Sequence, residues 1–87
     1  MSGTAVCVER MIVGFRGDAR LYRLTPPLDG DEYVIVSAAD TLDGPETYIF
    51  AADALASVID WRELDGSYKG GLDHAQALRN AGYEVTA

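Results

Sequence analysis

The stretch Tyr33–Ala39 constrains this chain most. It is a nearly uninterrupted apolar run, Tyr-Val-Ile-Val-Ser-Ala-Ala, set between the turn clusters Leu28–Asp31 and Asp40–Pro45. A run so short and rich in β-branched residues reads as a strand. Because both of its faces are apolar, that strand has to be covered on both sides. The rest of the chain must therefore supply neighbouring strands and two covering layers. It has only 87 residues to do so, which fits a single small domain over 1–87 with a modest core.

Further strands follow from the punctuation. Thr4–Phe15 is rich in Val, Ile, Cys and Met and reads as a long strand after a flexible start at Met1–Gly3. The pair Glu9-Arg10 breaks its alternation, as a bulge near Glu9 would. Arg16-Gly17-Asp18 is a turn; with no secretion signal expected, its letters do not make it an integrin ligand. Arg20–Leu24 is the second strand, which Pro26-Pro27 should stop because proline donates no ladder hydrogen bond. Thr47–Ala51 is a fourth strand, with Tyr48 and Phe50 on one face. Asp53–Leu64 is ambiguous: Asp53 is either a helix N-cap or part of a turn leading to a strand at Val58–Leu64, and the strand reading is narrowly favoured. Asp65–Gly71 is a glycine-rich loop. Asp73-His74-Ala75-Gln76 has the spacing of a capping box and Gly82 suits a helix C-terminus, so a helix is expected over about His74–Ala81. The fold expected is α+β: a four- to five-stranded, mainly antiparallel sheet with one short C-terminal helix packed on it.

Charge excludes several partners. The net charge is −7, unevenly spread. Residues 1–27 carry four bases against two acids, and residues 28–87 three bases against twelve acids. Between Arg23 and Arg62 there is no base and there are eight acids. Such a surface repels phosphates and anionic lipid, so neither nucleic acid nor membrane is an expected direct partner. The single cysteine, Cys7, forms no internal disulfide or cysteine-based zinc site, which with the absent signal pattern suggests a reducing, cytoplasmic setting.

Catalytic motifs are weak. His74, the only histidine, reads as an exposed first-turn residue, and Cys7 as a small buried hydrophobe and not a nucleophile paired with His74. The Asp40–Gly44 loop fails the calcium-loop spacing, and the Gly66–Gly71 loop lacks the lysine-Ser/Thr ending of a phosphate loop. No catalytic residue, metal or cofactor is expected. Trp61, Tyr68 and Lys69, together with Asp40, Asp43 and Glu46, are the candidate partner-binding residues.

The C-terminal half also carries a dispersed pattern: Pro45-Glu46-Thr47-Tyr48-Ile49-Phe50, Asp60-Trp61, Glu63-Leu64, Gly66-Ser67, Gly70, Asp73-His74, Ala77-Leu78 and Ala81-Gly82-Tyr83, with Tyr22, Pro27 and Val34–Ala38 before it. Over about residues 20–85 it resembles a group of small proteins encoded by actinobacteriophages, notably mycobacteriophages. The resemblance implies an accessory role in an infected actinobacterial cell and carries over no catalytic residue. In the group a glycine falls within the stretch after the position of Phe50, which suits a turn; Ala54-Leu55-Ala56 occupies that stretch here and keeps the helical option open. The function expected is an acidic protein-binding module that engages a host or phage protein, with a homo-oligomer left open. The alternatives are a DNA-mimic inhibitor, if the carboxylates line one face, and a virion structural or decoration protein that offers a sheet edge.

Overall fold

The computed structural model describes residues 3–15 and 17–86. Among them are seven strands and one helix: β1 (Gly3–Glu9), β2 (Asp18–Leu28), β3 (Asp31–Thr41), β4 (Gly44–Ala52), β5 (Val58–Asp60), β6 (Tyr68–Lys69), α1 (His74–Asn80) and β7 (Tyr83–Thr86). They form one mixed sheet in the order β5-β4-β3-β2-β1-β7, with β6 also pairing with β4. All neighbours are antiparallel except β1 and β7, which are parallel. The α+β expectation is met with more strands than anticipated.

The apolar run occupies the middle of β3, between β2 and β4, and Val34–Ala38 is buried throughout. Its alternate residues serve different layers. Val34 and Val36 join Tyr22, Leu24, Ile49 and the helix residues Ala77 and Leu78 in one core cluster. Ile35 joins Ala19, Leu21 and Ala52 in a second cluster on the opposite face.

Several boundaries differ from the expectations, each for a local reason. The bulge lies where the broken alternation puts it, between Cys7 and Glu9. The strand then ends at Glu9 and does not continue to Phe15. Met11 at φ 57 and Gly14 at φ 95 turn the chain out of the sheet plane, and the loop folds Ile12 and Phe15 back over the second cluster. The flexible start is corrected at Gly3, which opens β1; Met1 and Ser2 lie outside the described residues, as does Arg16 of the expected turn. In that turn Gly17 has φ 70, and a side chain there would run into the carbonyl of Ala38.

Strand β2 continues through Pro26-Pro27. The prolines fall where the pairing with β3 is interrupted, between Arg23 and Leu28, so no ladder hydrogen bond is asked of them there. The Pro26 carbonyl still accepts, from the Tyr83 hydroxyl. Asp53–Leu64 is a turn and strand. The Asp53 carboxylate accepts from the backbone N–H of Leu55 (2.9 Å) and of Ser57 (3.0 Å), which closes a turn with Ala56 at φ 63. Strand β5 is shorter than expected and stops at Asp60, whose side chain accepts from the Arg62 N–H.

The helix is capped as its sequence specifies: Asp73 accepts from the Gln76 N–H at 3.1 Å. The Gln76 side chain does not return to the cap; it bonds Asn80 and Arg79. Seven residues of helix are not stable alone, and α1 is held by Ala77 and Leu78, both fully buried against the sheet. Strand β6 lies inside the expected glycine loop, which passes so close under α1 that a side chain on Gly66 would meet Ala77 and Ala81.

Candidate functional site

The two faces of the sheet are covered unequally. Helix α1 lies over one. Over the other, among the described residues, lie Ile12 and Phe15 of the loop after β1 and the segment around β5. By strand alternation that second, open face receives Leu21 from β2, Tyr33 and Ile35 from β3, and Glu46, Tyr48, Phe50 and Ala52 from β4.

An aromatic cluster is built there. Phe50 sits 5.3 Å from Trp61, edge to face, and 6.3 Å from Phe15, with Phe15 and Trp61 5.6 Å apart (ring centroids). Tyr48 extends the cluster at 6.1 Å from Phe50. Trp61 is nevertheless 64% exposed, and Met11 and Val13, in the loop that brings Phe15, are 85% and 90% exposed. The rings fix one another while a large apolar surface stays in water.

Carboxylates border the cluster. Glu46 is 6% exposed. The Tyr48 hydroxyl donates to its Oε1, and Lys69 Nζ lies 3.9 Å from its Oε2. This hydrogen bond, helped by burial and by the charges of Glu46, Glu63 and Asp43, pushes the Tyr48 phenol up to about 12.

The eight acids between Arg23 and Arg62 do not share a face. Asp29, Asp31 and Glu32 flank the β2–β3 turn, and Asp53 follows Ala52, which pairs with Tyr33 at that same end. Asp40, Asp43 and Glu46 belong to the β3–β4 hairpin at the other end, about 30 Å away along β3. Asp60 is on the short β5 edge.

On the helix side, a groove of ≈ 710 Å³ is lined by Cys7, Arg10, Arg20, Tyr22, His74 and Val85, among others. His74 corrects the expectation of an exposed first-turn residue: it is 7% exposed. Its Nε2 donates to the Asp18 backbone carbonyl at 2.8 Å, because the helix docks its first turn against the start of β2. The Arg20 guanidinium bonds the Asp18 carboxylate through Nε (3.1 Å) and Nη2 (2.7 Å), which lowers the Asp18 pKa. Burial raises the Tyr22 phenol. Cys7 and His74 thus line one groove, but the thiol faces the Glu9 carbonyl at 3.7 Å and the imidazole is bonded to Asp18. Among the described residues no group of three or more His, Cys, Asp or Glu side chains is placed to hold a metal ion, and no helix is long and apolar enough to cross a membrane.

Of the residues singled out by sequence, Trp61, Glu46 and Lys69 gather at the aromatic face, and Asp43 is exposed in the hairpin three residues before Glu46. Tyr68 does not: it pairs with Thr47 and packs half-buried against the helix-side core. Asp40 is exposed and falls on the helix-side alternation of β3. Sequence reasoning missed Phe15 and Glu63; the only available signal was the shared face of Tyr48 and Phe50. No family model, curated protein or solved structure matches the chain.

Proposed function

We propose that the chain is a small protein-binding module that works without catalysis and docks a partner protein on the open face of its sheet. Trp61 carries this reading. It is exposed over most of its surface yet packs against both Phe15 and Phe50, contacts that restrict its ring before any partner arrives. A preorganised indole loses little entropy on binding, and tryptophan is enriched among the residues that dominate interface energy. Met11 and Val13 add exposed apolar area from the adjoining loop. In the phage setting that the sequence resembles, the partner is a protein of the infected cell.

The DNA-mimic alternative needs carboxylates at regular spacing along one face, and their division between two ends weighs against it. The virion alternative draws on β7, which ends the strand order and has no strand on its outer side among the described residues. Mass spectrometry of purified particles separates that alternative from the docking reading.

The test is affinity capture from host lysate with wild type and Trp61→Ala, both confirmed folded by circular dichroism. A protein held by wild type and lost with Trp61→Ala supports docking at this face. Identical captured sets from the two baits overturn it.

A further inference from the structure

We propose that the segment received by the open face is cationic: an apolar stretch of a partner protein bearing Arg or Lys, whose charge lies over the Trp61 and Phe50 rings and against the carboxylates of Glu46, Glu63 and Asp43. The inference rests on the docking reading and specifies its partner.

Three observations carry it. The first is charge at the rim. Glu46 accepts from the hydroxyl of Tyr48, which belongs to the aromatic cluster; Asp43 lies three residues before Glu46 in the β3–β4 hairpin, Glu63 two residues after Trp61, and both are exposed. Among the described residues neither Glu63 nor Asp43 forms an ion pair, and the one base near Glu46 is Lys69, at 3.9 Å and 69% exposed. A contact that long from so exposed a side chain is readily exchanged for a closer cation. A guanidinium suits the place better than an ammonium, because it bonds a carboxylate through two N–H groups and stacks on an aromatic ring.

The second is the ring arrangement. Centroids 5.3–6.3 Å apart mean that Phe15, Phe50 and Trp61 touch one another and leave no cage between them. A cation is therefore received on the outer surface of the cluster, where Trp61 is exposed and where the face of an indole attracts positive charge. The third is what the rim repels. A second copy of a chain of net charge −7 would set the same carboxylates against each other, and an anionic lipid or nucleic acid would meet the same repulsion.

Trp61 is the only tryptophan, so its emission reports occupancy of the face directly. The probes are three short tryptophan-free peptides with one apolar pattern, carrying Arg, citrulline or Glu at the polar positions. The expected result is a shift of Trp61 emission by the Arg peptide, with affinity about tenfold above the citrulline peptide and falling with added salt. The Glu peptide leaves the emission unchanged. Glu63→Gln, at an exposed loop position, and separately Glu46→Gln should each shrink the Arg advantage to about threefold or less. Equal binding of the Arg and citrulline peptides overturns the cationic partner but leaves docking at this face standing. If no peptide shifts the emission while Trp61→Ala still loses its captured protein, the cationic partner is likewise overturned and docking stands. If the two capture baits give identical sets, the docking reading itself fails.

Discussion

The helix side and the open side of the sheet are built from the same strands, one residue out of step. On the helix side, Val34, Val36, Ile49 and Leu78 are at 0% exposure. On the open side, Ile35 is equally buried, yet the layer above it consists of rings and a loop, with Trp61, Met11 and Val13 facing water. One face is closed by an element that has no other place to bury its apolar stripe. The other is closed by side chains that keep much of their surface in solvent. Apolar content therefore does not distinguish the two faces of this sheet; completeness of cover does.

The sharpest way to break that comparison is mutational. Leu78→Ala should cost about 2–5 kcal/mol, read as a fall in the urea midpoint, because it opens a cavity between α1 and the sheet. Gly66→Ala should cost about 1–3 kcal/mol, since it combines φ +104 with contacts to Ala77 and Ala81. Trp61→Ala should cost about 1–2 kcal/mol, the value of its two ring contacts on a mostly exposed side chain. A loss for Trp61→Ala as large as that for Leu78→Ala would make the open face a core like the other and remove its claim as a docking surface.

Titration sharpens the same contrast with smaller effects. On the helix side, the folded pKa of Asp18 is depressed, so its contribution is present above the unfolded value of 3.8 and is lost as pH falls through the lower folded value. Asp18→Asn should therefore lower stability at neutral pH by at most about 1 kcal/mol, a difference that closes in acid unfolding curves. On the open side, the Tyr48 pKa is raised from 10.0 to about 12, so its contribution is present below 10 and is lost as pH rises through 12. Tyr22 and Tyr83 are raised too, so ultraviolet titration should show several late tyrosines, of which Glu46→Gln brings back toward 10 the one near 12.

The sequence was informative where the cause of a structure is local. The buried middle of β3, the bulge before Glu9, the Asp73 cap and the Asp53 turn are each decided by residues within a few positions of one another. It was uninformative where the cause is distant. Strand β7 exists because β1 lies beside it, some eighty residues earlier in the chain. His74 is buried by a carbonyl 56 positions away. Tyr68 faces the helix because a two-residue strand takes its orientation from its partner's register. Trp61 was legible as an interface candidate, but the Phe15 and Phe50 rings that pack against it come from a loop and a strand whose meeting no spacing rule encodes.

The parallel pairing of β1 with β7 has a mechanical consequence. Gly3 lies beside Tyr83 and Val6 beside Thr86, so the two strands run in the same direction. Tension applied between Gly3 and Thr86 pulls them past each other along their length. Their hydrogen bonds are then loaded together instead of being unzipped one at a time. In the same direction, Tyr83 would have to leave its seat over Gly3 and release its hydroxyl from the Pro26 carbonyl. A strand at one end of the sheet order is thereby placed where a stretched chain would meet resistance from a whole set of hydrogen bonds at once.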